Sequence, residues 1–294
     1  MLPIIYLGLL AGDGFGAIDV TWSAGLEADS NVSVIEIDTQ TAEGDESAVF
    51  ELGLEWSADL RENTGFKVGY DLSTDQYDTF DNFNTTTHRF SAEVNQTIGA
   101  ARVGVVGNYV ASRLGGDGFI NLTRVSPYVQ SYFGDRQYLL RGSYIYTDKD
   151  FVDRIDRDAE AQAVSADVYR FFDGARRYVS LGVRYTTEDT VADEFDFDAT
   201  LIKVAAVQRF TVFDRSSRLR VGGRWQARDY QNVTPSIGEI RADDRYRAEA
   251  SLETDITKSL FVRGEVRYNN NVSNLPAADF DETVVAISIG GSIF

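Results

Sequence analysis

Along Ile18–Val32, IDVTWSAGLEADSNV, apolar or small residues hold the even positions Ile18, Val20, Trp22, Ala24, Leu26 and Ala28, while Asp19, Thr21, Ser23, Glu27 and Asp29 hold odd ones. A period of two marks a β-strand with one oily and one wet face. The segment is long, since strands of globular domains usually run about five or six residues. The pattern recurs. In Ser47–Arg61 the residues Ala48, Phe50, Leu52, Leu54, Trp56, Ala58 and Leu60 oppose Glu51, Glu55, Asp59 and Arg61. Gly65–Asp75 sets Phe66, Val68, Tyr70 and Leu72 against Lys67, Asp71 and Asp75; Arg89–Gly99 sets Phe90, Ala92, Val94 and Ile98 against Arg89, Glu93 and Asn95. Later segments change parity and keep the rule: Leu219, Val221, Gly223, Trp225 and Ala227 oppose Arg218, Arg220, Arg224, Gln226 and Arg228. Tyr246, Ala248, Ala250, Leu252 and Ile256 oppose Arg245, Arg247, Glu249, Glu253 and Asp255. With weaker segments near Ile120 and Ala163, the sequence shows about fourteen strands, twelve and sixteen being the neighbouring even counts.

The links between segments alternate in length. Tight ones fall at Glu62–Gly65, Gly99–Ala100, Gly134–Asp135, Asp173–Ala175, Asp214–Ser217 and Thr257–Ser259, where Gly and Asp supply hairpin-turn geometry. Between them lie longer polar stretches: Thr39–Glu46, Thr79–Thr86, Thr147–Glu160, Thr186–Asp198, Asn232–Asp243 and Asn270–Glu282. Short turns at one end and long loops at the other are the plan of an outer-membrane barrel, with both termini on the periplasmic side. Aromatic residues also gather at both ends. Phe66, Tyr132, Phe133, Tyr138, Phe171, Phe172, Tyr178, Phe213 and Phe261 lie beside short turns; Tyr77, Phe90, Tyr109, Tyr144, Tyr146, Tyr185, Tyr230, Tyr246 and Tyr268 lie toward long loops. Two aromatic belts at the headgroup levels are therefore expected.

A strand crossing hydrocarbon needs about 9–11 tilted residues, and open sheet edges are not tolerated there. The expected fold is an all-β, antiparallel up-and-down transmembrane barrel over residues 18–294, preceded by a leader-like segment, residues 1–17, that lacks a basic start. Pro127 alone of the four prolines falls inside an expected strand, where a ladder donor is lost.

Composition agrees. The mean hydropathy is negative and no stretch approaches the roughly 18 apolar residues of a membrane helix. The chain has no cysteine, which excludes disulfides and thiolate sites, and its net charge of −18 argues against nucleic acid. No cofactor is expected. The acidic loop residues around Asp189–Asp198 read as solvated charge or as a bridge through divalent cations to lipopolysaccharide at the external surface. Hydrolase chemistry has little support: the single histidine, His88, shares the parity of Phe90, Ala92 and Val94 and so points outward, and no nucleophile elbow, zinc motif or P-loop occurs.

The wet faces are uneven. Early strands contribute acid at Asp19, Glu27, Asp29, Glu51, Glu55, Asp59, Asp71, Asp75 and Glu93. The last third contributes base at Arg184, Lys203, Arg209, Arg218, Arg220, Arg224, Arg228, Arg245, Arg247, Arg263 and Arg267. One expectation is a lumen with a basic wall facing an acidic one; the alternative is a lattice of ion pairs. Arg218, Arg220, Arg224 and Arg228 are the candidates for recruiting anionic groups, since guanidinium binds two oxygens at once. Thr147–Glu160 and Thr186–Asp198 are the loops expected to fold inward, if any does.

At GLEADSNV (Gly25–Val32) and at RYRAEASLETDITKSLFVRGEVRYNNNVSNLPAADFDE (Arg245–Glu282), the sequence resembles the Gram-negative outer-membrane barrels that form the C-terminal part of surface lipoprotein assembly modifiers, and related β-barrel porins. The resemblance implies an integral outer-membrane protein surrounded by lipid and lipopolysaccharide. It also implies that the barrel-assembly machinery recognises the terminal aromatic, Phe294, and that periplasmic or surface lipoproteins are partners. Two features depart from the family: Ser292, Gly290, Ser288 and Ala286, in phase with Phe294, are small, and no 34-residue helical repeat is visible. The leading expectation is a porin-like channel for small hydrophilic anionic solutes. The alternatives are an export barrel for lipoprotein or polysaccharide, and a plugged structural or adhesive barrel.

Overall fold

A computed structural model describes residues 16–173 and 176–293. The leader-like segment, apart from its last two residues, and Phe294 lie outside them. In chain order the strands are β1 (Ala17–Asp29), β2 (Ser33–Val34), β3 (Thr39–Gln40), β4 (Asp45–Arg61), β5 (Thr64–Tyr77), β6 (Thr85–Ile98), β7 (Ala101–Leu114) and β8 (Asp117–Phe133). They continue as β9 (Tyr138–Phe151), β10 (Ala159–Phe172), β11 (Arg177–Thr190), β12 (Phe197–Val212), β13 (Arg215–Thr234), β14 (Glu239–Asp255), β15 (Leu260–Ser273) and β16 (Phe280–Ile293). β2 and β3 form a separate small hairpin; the other fourteen strands make one closed antiparallel barrel in which each pairs with its neighbours in sequence. The ring closes where β1 meets β16, from Val20 opposite Ile293 to Asp29 opposite Val284.

The two faces are inverted relative to a water-soluble globule. Ile18, Leu26 and Ile287 are 62%, 64% and 61% exposed, whereas Arg241 and Asp243 are 1% and 2% exposed. Oil faces out and charge faces in. This is the integral outer-membrane architecture that the alternation implies.

Several details differ from the sequence reading. The first strand ends at Asp29, so Asn31–Val32 already belong to the following loop. The long links are shorter than expected because strands climb beyond the lipid: Thr147–Phe151 extend β9, Thr186–Thr190 extend β11 and Asn232–Thr234 extend β13. The alternation of link lengths fails twice: the β13–β14 link at the long-loop end is only residues 235–238, no longer than several links at the other end. β7 and β8 join at the long-loop end through Gly115 and Gly116 alone, both with positive φ, a two-residue turn that glycine makes without strain. The segments near Ile120 and Ala163 are full strands, β8 and β10. At Pro127 the β8–β9 ladder skips from the Val125–Tyr146 pair to the Tyr128–Ser143 pair, since proline has no N–H to give.

The loop-end belt includes Phe90, Tyr109, Tyr144, Tyr185, Tyr246 and Tyr268, all well exposed on the outer face. Tyr77 and Tyr230 do not belong to it. The Tyr77 hydroxyl donates to Asp29 at 3.4 Å and Tyr230 is buried, both on the inner face. At the other end Phe171 and Tyr178 share the inner face with Tyr169, at ring separations of 6.3 and 5.9 Å from Phe171, so that belt is also partly lumenal.

Val266 sits midway along β15 on the outer face. Val266→Arg is expected to destabilise the folded barrel by about 2–4 kcal/mol, the cost of a cation at the bilayer midplane. Urea unfolding in phospholipid vesicles measures this, with an equal midpoint in the variant and the parent chain as the contrary result.

Candidate functional site

The inner faces of the strands make the candidate site, and its mouth is covered. The segment between β1 and β4, residues 30–44, does not rise into solvent. It turns across the loop end of the barrel as the β2–β3 hairpin, with the single 3₁₀ turn Ile35–Ile37 between. Its near side is tied to β16 and the loop before it: Asn31 Nδ2 donates to the Asp281 carbonyl at 3.1 Å, and Ser33 Oγ to Glu282 at 3.0 Å. Its far side packs Val32, Val34 and Ile37 against Phe83 and Phe151, a small apolar core with Tyr77, Phe80, Leu114, Phe119 and Ile120 around it. The inward-folding loop is therefore this one. Thr147–Glu160 and Thr186–Asp198, expected as the inward-folding loops, instead support it: Phe151 belongs to the apolar core, and Arg157, lying over the Phe195 ring at 4.1 Å, reaches the docked segment.

At the tip stands Asp38, in the left-handed region with φ of 52°. Arg241 of β14 grips its carboxylate with both terminal nitrogens, at 3.0 and 2.8 Å. Arg157, from the loop after β9, adds a third bond at 2.8 Å and a fourth to the Glu36 carbonyl at 2.9 Å. Arg241 also holds Asp243 at 2.9 and 2.8 Å and lies over the Tyr230 ring at 4.6 Å. Two walls of the barrel thus clamp one carboxylate. Burial pushes the Asp38 carboxyl up, but the hydrogen bonds and charges of Arg241 and Arg157 outweigh it and hold the group at about 2.

Beneath this latch the expected basic residues divide into two sets. Arg218 and Arg263 converge on Glu253 at 3.1 and 2.7 Å. Arg220 and Arg247 share Glu249 at 3.4 and 3.3 Å. Arg245 meets Asp243 at 3.1 Å, and Arg267 reaches Glu27 at 3.5 Å and Glu265 at 3.6 Å. Among the described residues Arg209, Arg224 and Arg228 have no carboxylate within 4.0 Å. Arg228 instead lies over the Phe197 ring at 4.5 Å.

The expected acidic residues divide likewise. Glu55 pairs with Lys67 at 2.7 Å and Asp71 with Arg89 at 2.8 Å. Besides Glu27 on Arg267, four meet neutral donors: Ser23 Oγ on Glu51 at 2.9 Å, the Asn31 N–H on Asp29 at 3.0 Å, Thr85 Oγ1 on Asp75 at 3.0 Å, and the Tyr128 hydroxyl on Glu93 at 2.6 Å. Asp59 is exposed near a short turn. Ion pairs form chiefly between neighbouring strands, and an acidic surplus on β1, β4, β5 and β6 faces a basic surplus on β11 and β13.

His88 lies on the outer face, its Nδ1 2.9 Å from the Tyr70 hydroxyl. Among the described residues no group of three or more His, Cys, Asp or Glu is placed to hold a metal ion. Asp38, Arg157 and Arg241 escaped the sequence reading. A signal was present: Leu114 and Phe151 are apolar inner-face residues at the loop ends of their strands, and Val32, Val34 and Ile37 are apolar within a loop.

The chain matches the family described as surface lipoprotein assembly modifier over residues 27–291. No curated protein sequence matches it. Among solved structures it is similar to an anion-selective porin from Comamonas acidovorans, with a TM-score of 0.56, 8% identity, and coverage of 95% of this chain and 99% of that one. It is also similar to the outer-membrane protein OmpT of Vibrio cholerae, with a TM-score of 0.57, 9% identity, and coverage of 96% and 99%. At such identities the likeness speaks for the barrel fold alone.

A carboxyl with a depressed pKa stabilises above its unfolded value of about 3.9 and loses that contribution only as pH falls through its folded value. The latch is therefore expected to hold unchanged from pH 8 to pH 4 and to open toward pH 2. Asp38→Asn should release it at neutral pH, costing about 3 kcal/mol, roughly a hundredfold in the docked fraction. Since the chain has no cysteine, maleimide labelling of Ile37→Cys reports the opening directly. Equal labelling rates with and without Asp38→Asn would show that the latch does not hold the loop.

Proposed function

The chain belongs to the surface lipoprotein assembly modifier family, and from that premise we propose that its barrel is a gated aqueous passage across the outer membrane, selective for small hydrophilic anions. The observation that carries this reading is the charge of the lumen: Arg224 and Arg228 stand on the inner face of β13 without a carboxylate partner among the described residues. Guanidinium stays charged at every working pH. Unpaired cations along a low-dielectric wall raise the local concentration of anions and repel cations. Fourteen strands give a ring between the filled eight-strand barrels and the open porins of sixteen or more. The segment from Ser30 to Gly44 is the gate, and Asp38 its catch. The reading is non-enzymatic: the one histidine faces outward beside Tyr70, away from the lumen.

A second reading, export of a lipoprotein through the barrel with periplasmic partners, is favoured by the family match itself. In that reading the same loop keeps the passage shut until a client arrives. The two are separated by conductance, because a passage for small ions conducts without a client.

Purified protein in a planar bilayer under a potassium chloride gradient is expected to give stepwise currents whose reversal potential favours chloride. Arg224→Glu with Arg228→Glu should move that potential toward potassium, more than Arg218→Glu does, since Arg218 already shares Glu253 with Arg263. A silent bilayer that stays silent in Asp38→Asn removes the passage for small ions and leaves the export reading standing.

A further inference from the structure

We infer that Arg184, Arg224 and Arg228, flanked by Lys203 and Arg247, form a lumenal binding site for a tetrahedral dianion, a phosphate, phosphate monoester or sulfate. This rests on the reading of the lumen as a passage for anions and names what that passage holds.

The register brings the cations together. Lys203 of β12 is directly opposite Arg224 of β13, and Arg224 is directly opposite Arg247 of β14. Like charges directly opposite one another on a sheet face are destabilising, and here three stand in a row. Acid relieves only the two ends of that row. Lys203 reaches Asp167 at 2.8 Å, and Arg247 takes a share of Glu249, which Arg220 also claims. The middle member, Arg224, keeps its whole charge.

Arg228 lies two inward positions further along β13, toward the latch, and Arg184 is on β11, two strands away. Both carry a buried Nε–H with no acceptor. A buried N–H of a charged group left unsatisfied costs well over the usual hydrogen-bond increment. Neutralisation by proton loss is not available to guanidinium. What satisfies such a cluster is an external acceptor with several oxygens.

The chemistry of that acceptor follows from the surplus. Five cations meet three carboxylates, and each is already engaged: Asp167 by Lys203, Glu249 by Arg220 and Arg247, and Asp243, opposite Arg228, by Arg241 and Arg245. A monovalent halide presents one charge and no directed lone pairs. A tetrahedral dianion offers two charges and enough oxygens to take forked bonds from two guanidinium groups at once. Aromatic backing assists: Phe197 supports the Arg228 plane at 4.5 Å, which fixes the direction of its remaining N–H groups. The docked segment Ser30–Gly44 lies on the loop side of this cluster, so a bound anion sits on the short-turn side of the gate.

The test is calorimetric titration of the full chain in detergent with inorganic phosphate at constant ionic strength. Saturable binding is expected, weakened at least about tenfold in Arg224→Ala with Arg228→Ala, and unchanged in Arg102→Ala at the short-turn end of β7. Arg224→Lys with Arg228→Lys keeps the charge and removes the forks; it should weaken phosphate binding while preserving the gel shift of a folded barrel. Absence of phosphate heat, or equal affinity in the alanine variant, overturns the site. Acetate binding as tightly as phosphate overturns the assignment of a dianion. Chloride selectivity in a bilayer without any phosphate binding sinks the site and spares the passage. Phosphate binding beside a bilayer that never conducts spares the site and sinks the passage.

Discussion

Inside hydrocarbon a backbone N–H or C=O without a partner costs several kcal/mol, and water is not there to relieve it. Every strand must therefore be paired on both sides, and a sheet meets that demand only by closing. The β1–β16 seam does this here, over ten paired residues from Val20 to Asp29. Once the ring is closed, strand alternation sorts side chains into two populations that cannot mix. Half face lipid tails, and so Leu26, Val266 and Ile287 lie bare outside. The other half face one another across a confined interior, and the distribution of charge along the chain then becomes a distribution around a wall.

Confinement makes those charges matter. On an exposed surface an ion pair is worth about 1 kcal/mol or less, and the surplus of one sign is screened away. Within a barrel the low-dielectric wall weakens that screening, so pairs form wherever the register allows: Glu253 is taken by Arg218 and Arg263, and Glu249 by Arg220 and Arg247. Each glutamate lies on the same inner face as its arginines because β14 carries both signs there, base at Arg241, Arg245 and Arg247 and acid at Asp243, Glu249 and Glu253. The bases left over are those whose neighbours at the same level are cationic or neutral, or, for Arg228, whose opposite Asp243 is already taken by Arg241 and Arg245. Arg224 is flanked by Lys203 and Arg247, and Arg184 is opposite Leu201.

The barrel was legible because its signal is redundant. Period-two alternation, tight Gly- and Asp-bearing turns and two-ended aromatics all follow from one constraint, and a fault in any one strand leaves the count intact. The site was less so. Which arginines share a glutamate depends on register between strands, and the sequence fixes parity within a strand but not pairing across it. Tyr77 and Tyr230 were assigned to a lipid belt by position along the strand, whereas parity with Asp75 and Arg228 puts them inside. The plug was hidden for a different reason. Val32 and Val34 continue the even-numbered apolar rhythm of β1, so the strand reads straight through Asp29, and the apolar inner-face residues Leu114 and Phe151 at the loop ends hint that something oily docks there.

That the gate is the first loop, and not one of the more acidic later ones, follows from what each can bury. A loop entering a charged lumen gives up hydration and chain entropy, and gains only if it brings apolar surface or a carboxylate that finds a matched cation. Asp193–Phe195 brings one aromatic ring, Phe195, which lies under the Arg157 guanidinium at 4.1 Å and so supports the latch from outside the docked segment. The first loop carries both: three aliphatic side chains for the Phe83–Phe151 patch, and Asp38 for Arg241 and Arg157. The same division explains why the latch and the arginine cluster coexist without collapsing on each other. Arg241 and Arg245 are held by Asp243, which places a tier with its own carboxylate between the clamped Asp38 above and the acid-free Arg224 and Arg228 below. Asp38 is therefore not drawn down to Arg224 and Arg228, and the gate closes over the lumen without filling the site beneath it.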